Sequence, residues 1–148
     1  VNLSEELDGD WDGFTGLEPP PSIRPEDIAR EEHRSADLSA ILAQKEKALQ
    51  NALAQGDAAS TAGLLRQYAL RLDAASYRRT ALEARLSETL LKKNAWLAQQ
   101  ENPTTGAEIL ASYEDTLRQI GDAINSARVE KRALEYVVDY YTKLAAVP

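Results

Sequence analysis

The sequence predicts an all-α protein: an up-down-up antiparallel three-helix bundle, or long coiled-coil hairpin, preceded by an extended N-terminal arm. Two long segments place apolar residues at alternating steps of three and four, as in a coiled-coil seam. A short segment around Pro103 separates them. The composition is 43% hydrophobic but only 6% aromatic. Such a composition favours helices with thin cores.

Residues 1–24 are predicted to form the arm, and residues 25–148 the helical bundle. Glycines and the prolines at 19–21 oppose a helix in the arm. Residues 1–21 carry six acidic and no basic side chains, a charge of −6. The rest has 17 basic and 18 acidic side chains, a charge of −1. The arm is therefore the acidic part of the chain, and the body is close to neutral.

The first helix is predicted over residues 25–55. Pro25 suits the first helical position, and Glu26 and Asp27 suit the positive end of the helix dipole. Residues 30–37 are polar nearly all round, so this part is predicted to be weakly packed or covered by another element. The apolar row of the first helix consists of Leu38, Ile41, Leu42, Leu49 and Leu53.

Gly56 and Asp57 predict a turn, with Gly56 ending the first helix and Asp57 capping the second. The alternative is one continuous helix over residues 25–100. The apolar row changes phase at Gly56, which favours the turn. The second helix is then predicted over residues 58–100, packing on the first through its alanines.

Pro103 cannot continue the second helix, because it lacks an amide hydrogen. Thr105 and Glu108 have the spacing of a capping box, which predicts a third helix over residues 106–145. A helix of about 40 residues would be about 60 Å long, so the hairpin is predicted to be a rod. Folding the two rows antiparallel predicts these seam pairs: Trp96–Leu110, Leu86–Ile120, Leu82–Ile124, Leu72–Leu134, Tyr68–Val138 and Leu65–Tyr141. The same rows could also pair between chains.

The arm carries apolar residues at regular spacing, which predicts a protein-binding segment. The alternatives are a segment that packs on its own bundle and a disordered tail. Residues 11–14 resemble the short aromatic peptides that dock on the ear domains of vesicle-coat adaptors. Residues 14–17 resemble the aromatic-x-x-aliphatic peptides that bind ubiquitin-like autophagy modifiers. Both resemblances imply apolar anchors in pockets and acidic groups that steer toward a basic surface. The candidate anchors are Leu3, Leu7, Trp11, Phe14 and Leu17.

The second helix has an excess of basic residues, of which Arg71, Arg78 and Arg85 are candidate partner-binding residues. Three interpretations are open: pairing with the more acidic neighbouring helices, a docking strip for an acidic partner such as the arm of another copy, and, least favoured, nucleic-acid binding. Tyr136 and Tyr140 lie four residues apart on a face away from the seam. Tyrosine suits interfaces because its ring is apolar while its hydroxyl stays hydrated. Both tyrosines are therefore candidate interface residues.

Residues 8–13 match the first half of a calcium loop, but its twelfth position is Pro19 rather than Glu. A calcium site is therefore a minor hypothesis, and no metal or cofactor is predicted. The single histidine, His33, has no nucleophile in a recognisable motif. No glycine-rich phosphate loop occurs. The sequence therefore predicts a non-enzyme without a small-molecule substrate.

The net charge of −7 argues against nucleic acid as the main partner. Without cysteine, disulfides are excluded. No apolar run could span a membrane, and no secretory signal is visible. An intracellular location is favoured, with a cleaved signal as the alternative.

These observations favour a non-enzymatic structural or adaptor subunit of a larger protein assembly. The arm would dock on a protein partner or on a neighbouring copy. One alternative is a small helical chaperone or regulatory protein that holds a segment of another protein. The other is a calcium-responsive module.

Overall fold

The computed structural model describes residues 23–56, 59–100 and 106–147. It contains three helices: α1 (Pro25–Ala54), α2 (Thr61–Ala98) and α3 (Ala107–Ala145). They hold 91% of the described residues, and no strand occurs among these residues. The predicted all-α three-helix bundle is confirmed. Residues 1–22 of the predicted arm lie outside the described residues.

Helix α1 begins as its sequence predicts. Arg24 is the N-cap, and its amide donates a 3.1 Å hydrogen bond to the carboxylate of Asp27. This is half of a capping box. The hydrogen bond from the Arg24 backbone holds the pKa of Asp27 below its ordinary value. The start of α1 is therefore fixed by a charge-assisted bond.

A turn separates α1 from α2, as predicted. Gly56 has φ +69°, the left-handed conformation that glycine adopts at helix ends. The N-cap of α2 is Ser60 rather than Asp57, because the Ser60 hydroxyl accepts a 3.0 Å bond from the Gly63 amide. Helix α2 therefore begins at Thr61, three residues later than predicted, and Asp57 lies outside the described residues. Both residue types are good caps.

We expect Ser60→Ala to lower the free energy of unfolding by about 1 kcal/mol, because the Gly63 amide loses its acceptor. Ser39→Ala is the matched control. Ser39 is exposed within α1, where alanine has the higher helix propensity. Urea unfolding followed by circular dichroism measures both variants. Equal midpoints for the two would contradict the capping role of Ser60.

The helical residues form two compact units. The first contains helical residues 25–35, 82–98 and 107–123. Its core includes Ala84, Leu86, Leu117 and Ile120, all buried. Lys93 is also buried, with Nζ 3.8 Å from the half-exposed carboxylate of Glu114. The lysine side chain thus fills space in the seam, and its buried ammonium lies beside the Glu114 carboxylate.

The polar stretch of α1 contributes little apolar packing to the first unit. Within α1, all of which the structure describes, Ser35 alone is buried. The Glu32 carboxylate forms an ion pair with Lys92 of α2, whose Nζ lies 3.6 Å from a carboxylate oxygen. Lys92 also contacts Glu88 at 2.8 Å, and this hydrogen bond raises the pKa of the ammonium. Polar contacts therefore join this end of α1 to α2.

The second unit contains helical residues 36–54, 61–81 and 124–145. Ala74 and Ala81 are buried on the face of α2 that was predicted to receive α1. Nζ of Lys45 in α1 lies 2.9 Å from the Asp73 carboxylate. The hydrogen bond that Lys45 donates to this carboxylate raises the pKa of the lysine. The same ammonium lies 5.1 Å from the ring centre of Tyr77. Small side chains and these contacts bring α1 close to α2.

Two pairs of aromatic rings pack across the seam between α2 and α3. Tyr68 stacks on Tyr141 at 5.5 Å, one seam position beyond its predicted partner Val138. Trp96 packs on Tyr113 at 6.1 Å, also one position beyond its predicted partner. Helical side chains lean toward their own N-terminus. In antiparallel helices two large side chains therefore meet one step beyond the residue directly opposite.

Candidate protein-binding surface

Helix α3 carries a second apolar row in the second unit, facing away from the core. Tyr136 is 77% exposed, Val129 71% and Tyr140 57%. The residues follow one another at steps of three and four, so they share one face. We call this row the outer stripe; it consists of Val129, Ala133, Tyr136, Tyr140 and Leu144 of α3, together with Val147 just beyond the helix end.

The outer stripe begins abruptly at Val129. The same row in the preceding part of α3 contains only exposed polar residues. One pair among them, Gln119 and Asp115, is joined by a hydrogen bond of 3.1 Å. The apolar character is therefore not a general property of this face of α3. The polar residues of the row are Ser112, Asp115, Gln119, Asp122 and Ser126.

The Tyr140 ring belongs to a series of packed aromatic rings that continues onto α2. It meets Tyr141 edge-on, with centroids 5.2 Å apart and planes at 83°. Tyr141 in turn stacks on Tyr68. The guanidinium of Arg71 lies 5.2 Å from the centre of the Tyr68 ring. An anchor fixed in this way loses little conformational entropy when it binds.

A cavity of about 440 Å³ adjoins the start of the stripe, lined by Arg128, Val129, Arg132 and Ala133. Neither arginine forms an ion pair with any residue that the structure describes. This end of the stripe is therefore both apolar and positively charged.

A second cavity, of about 560 Å³, lies in the first unit between α2 and α3. Arg85, which is exposed, lines it together with Lys92. Glu88 and Glu108 line it too, so its charge is balanced. Ile109 is its one strongly exposed apolar residue. The cavity lacks the continuous apolar surface of the outer stripe.

The structure separates the residues that the sequence singled out for binding. Tyr136 and Tyr140 lie together on the outer stripe. Arg71 contacts Tyr68, and Arg78 pairs with Glu130 of α3 at 3.1 Å. Arg85 belongs to the other unit. The five apolar anchors of the arm lie outside the described residues.

Sequence reasoning did not single out Val129, Leu144 and Val147, nor Arg128 and Arg132. The stripe was detectable as a second row at steps of three and four, opposite the seam. Both rows occupy one helix, and the seam row is the longer of the two.

Within the described ranges, no group of three or more His, Asp or Glu side chains could hold a metal ion. The partial calcium loop at residues 8–13 lies outside those ranges. In the described part of the chain, no helix is long and apolar enough to cross a membrane.

Comparisons of the chain with protein-family models, with curated proteins and with solved structures found no match. The outer stripe is therefore interpreted from its own chemistry.

Proposed function

We propose that this protein is a non-enzymatic structural or adaptor subunit of a larger assembly, and that it binds a protein partner through the outer stripe of α3. The observation that carries the proposal is a continuous apolar row on the solvent side of a helix whose preceding turns are polar on the same side. Large contiguous apolar patches on a protein surface mark interaction sites.

The residue types of the stripe suit a protein interface. Tyrosine is enriched among residues that dominate binding energy, and Tyr136 and Tyr140 occupy its middle. Burying an exposed valine such as Val129 contributes about 1.5–3 kcal/mol. An amphipathic helix laid along the stripe would meet anchors at the spacing such helices themselves use.

The acidic arm provides a second contact in this proposal. Its charge of −6 would steer it toward a basic surface on the partner or on a neighbouring copy. The anchors Trp11 and Phe14 would then fill apolar pockets. Two linked contacts bind more tightly than either alone, because the second becomes intramolecular.

Capture from native lysate on the immobilised chain, read by mass spectrometry, tests the proposal. We expect Tyr136→Glu to lose the proteins retained by the wild-type chain, because it places a charge in the middle of the stripe. Ser126→Glu is the matched control, since Ser126 lies on the polar part of the same row. It should retain them. Circular dichroism checks that both variants keep the same helicity.

A chain lacking residues 1–21 separates the two contacts. We expect it to retain the partners more weakly. Complete loss on deletion, with full retention by Tyr136→Glu, would assign binding to the arm alone and contradict the role of the stripe.

A further inference from the structure

We propose that the partner seated on the outer stripe is a second copy of this chain, whose own stripe runs antiparallel to the first about a two-fold axis. This inference rests on the proposed function, because it names the occupant of the same surface. It follows from the order of the residues along the stripe, from the position of one charge beside it, Lys143, and from its area.

The order of residue types along the stripe is similar from either end: a valine at each end and two tyrosines in the middle. Taking Ala133 and Tyr140 as a positions of a heptad places Val129, Tyr136 and Lys143 at d positions. An antiparallel copy matches a positions with d positions in each layer. Tyr136 then meets Tyr140 of the second copy, and Tyr140 meets its Tyr136. At the end of the stripe Val129 meets Val147 of the second copy.

Lys143 decides the direction. In a parallel pair the d positions of the two copies face each other, so Lys143 would face Lys143, and two like charges would meet. In the antiparallel pair Lys143 faces Ala133 of the second copy. A lysine stem lies over alanine and sends its charge outward. Lys143 already contacts Asp139 of its own helix at 2.9 Å, so its charge is partly balanced at the edge.

The central layers also suit a two-fold contact. Four tyrosine rings surround the axis, two from each copy. Tyr140 is fixed against Tyr141 at 5.2 Å before any partner arrives. Edge-to-face and offset-stacked ring pairs are favourable arrangements for such a cluster. A closed pair of this kind is the commonest symmetry among homo-oligomers.

The exposed area is sufficient for a weak to moderate dimer. An aromatic side chain buries about 150–250 Å² in full, and Tyr136 and Tyr140 are 77% and 57% exposed. Four such rings supply roughly 500 Å² of buried area across the two copies. Val129, Leu144 and Val147 of each copy add to this and bring the total near the roughly 1,000 Å² of a specific interface.

Two measurements on the full chain test the proposal. Sedimentation equilibrium should show a monomer–dimer equilibrium. Tyr136→Glu should raise the dissociation constant by about 100-fold, as for loss of a central tyrosine anchor. Ser126→Glu, on the polar part of the same row, should change it by less than about twofold, as for a residue outside the contact.

Cysteine cross-linking tests the direction, because the chain contains no cysteine of its own. Ala133→Cys mixed with Lys143→Cys should yield a cross-linked heterodimer on mild oxidation. Each variant alone should not cross-link, because the two positions lie about 15 Å apart along the helix. Disulfides need Cα atoms within about 7 Å.

Three results would overturn the proposal. They are a monomer at all concentrations, cross-linking of Lys143→Cys with itself, or a dimer that Tyr136→Glu leaves intact. In the last case, loss of the dimer on removing residues 1–21 would assign the dimer contact to the acidic arm instead of the stripe. If the wild-type chain is monomeric but Tyr136→Glu still loses its captured partners, the second copy is excluded while the proposed function stands.

Discussion

Replacing Leu86 with alanine is expected to lower the free energy of unfolding by about 3 kcal/mol. Leu86 is among the largest side chains of the described chain that are fully buried. It lies in the core of the first unit, which also contains Ala84, Leu117 and Ile120. Deletion of a buried leucine side chain removes its transfer free energy and leaves a cavity, which together cost about 2–5 kcal/mol. In a core this thin, one leucine is a large part of the total stability.

Chemical denaturation of the variant measures this loss. Ile109→Ala provides the control within the same unit, because Ile109 is 49% exposed. We expect it to change stability by less than about 1 kcal/mol, since surface substitutions have small effects. Equal losses for Leu86→Ala and Ile109→Ala would show that Leu86 is not part of a close-packed core.

Gly106→Ala is expected to destabilise the protein by about 1–3 kcal/mol. Gly106 has φ +92°, where a side chain is strained. A Cβ added there would also lie 2.7 Å from Cζ2 of the Trp96 ring. To relieve that overlap the ring must move, and it packs against Tyr113 at 6.1 Å. Backbone strain and displaced packing thus act in the same direction.

Gly121→Ala is the matched substitution, with the opposite expected sign. Gly121 lies within α3, and a Cβ built there meets nothing within 4 Å. Alanine in a helix interior is favoured over glycine by about 0.5–1 kcal/mol. Thermal and urea unfolding of the two variants should therefore shift in opposite directions. A stabilised Gly106→Ala would contradict the geometry assigned to the start of α3.

Much of the fold could be predicted from the sequence because it depends on local rules. Gly56 ends α1 since glycine tolerates the left-handed conformation, and Pro25 begins it since its fixed φ suits the first helical position. The seam is visible as a regular row. These features depend only on residue type and on spacing along the chain.

Other features depend on contacts that a sequence does not specify. Asp57 and Ser60 are equally good caps by residue type, and the choice of Ser60 depends on the path of the turn. The partners of Tyr68 and Trp96 depend on how long side chains lean between layers. Such differences of about three residues arise wherever several local solutions are similar in energy.

The candidate surface was predicted only in part. Tyr136 and Tyr140 were predicted as interface residues because they do not occupy seam positions. Val129 was not, since a lone exposed valine on a surface is unremarkable. Its significance comes from its neighbours: the polar row before it and the tyrosines after it. The burial of each residue on α3 was needed to see the row as one surface.

Chemical footprinting of the tyrosines tests the central claim most directly. The chain has six tyrosines, of which Tyr136 and Tyr140 are exposed on the outer stripe. In dilute solution these two should be modified fastest, because Tyr68, Tyr77, Tyr113 and Tyr141 are partly buried. When the chain is concentrated or mixed with a captured partner, protection should appear at Tyr136 and Tyr140 and nowhere else among the six. Formation of a complex that leaves both tyrosines as reactive as before would contradict the assignment of the outer stripe as the binding surface.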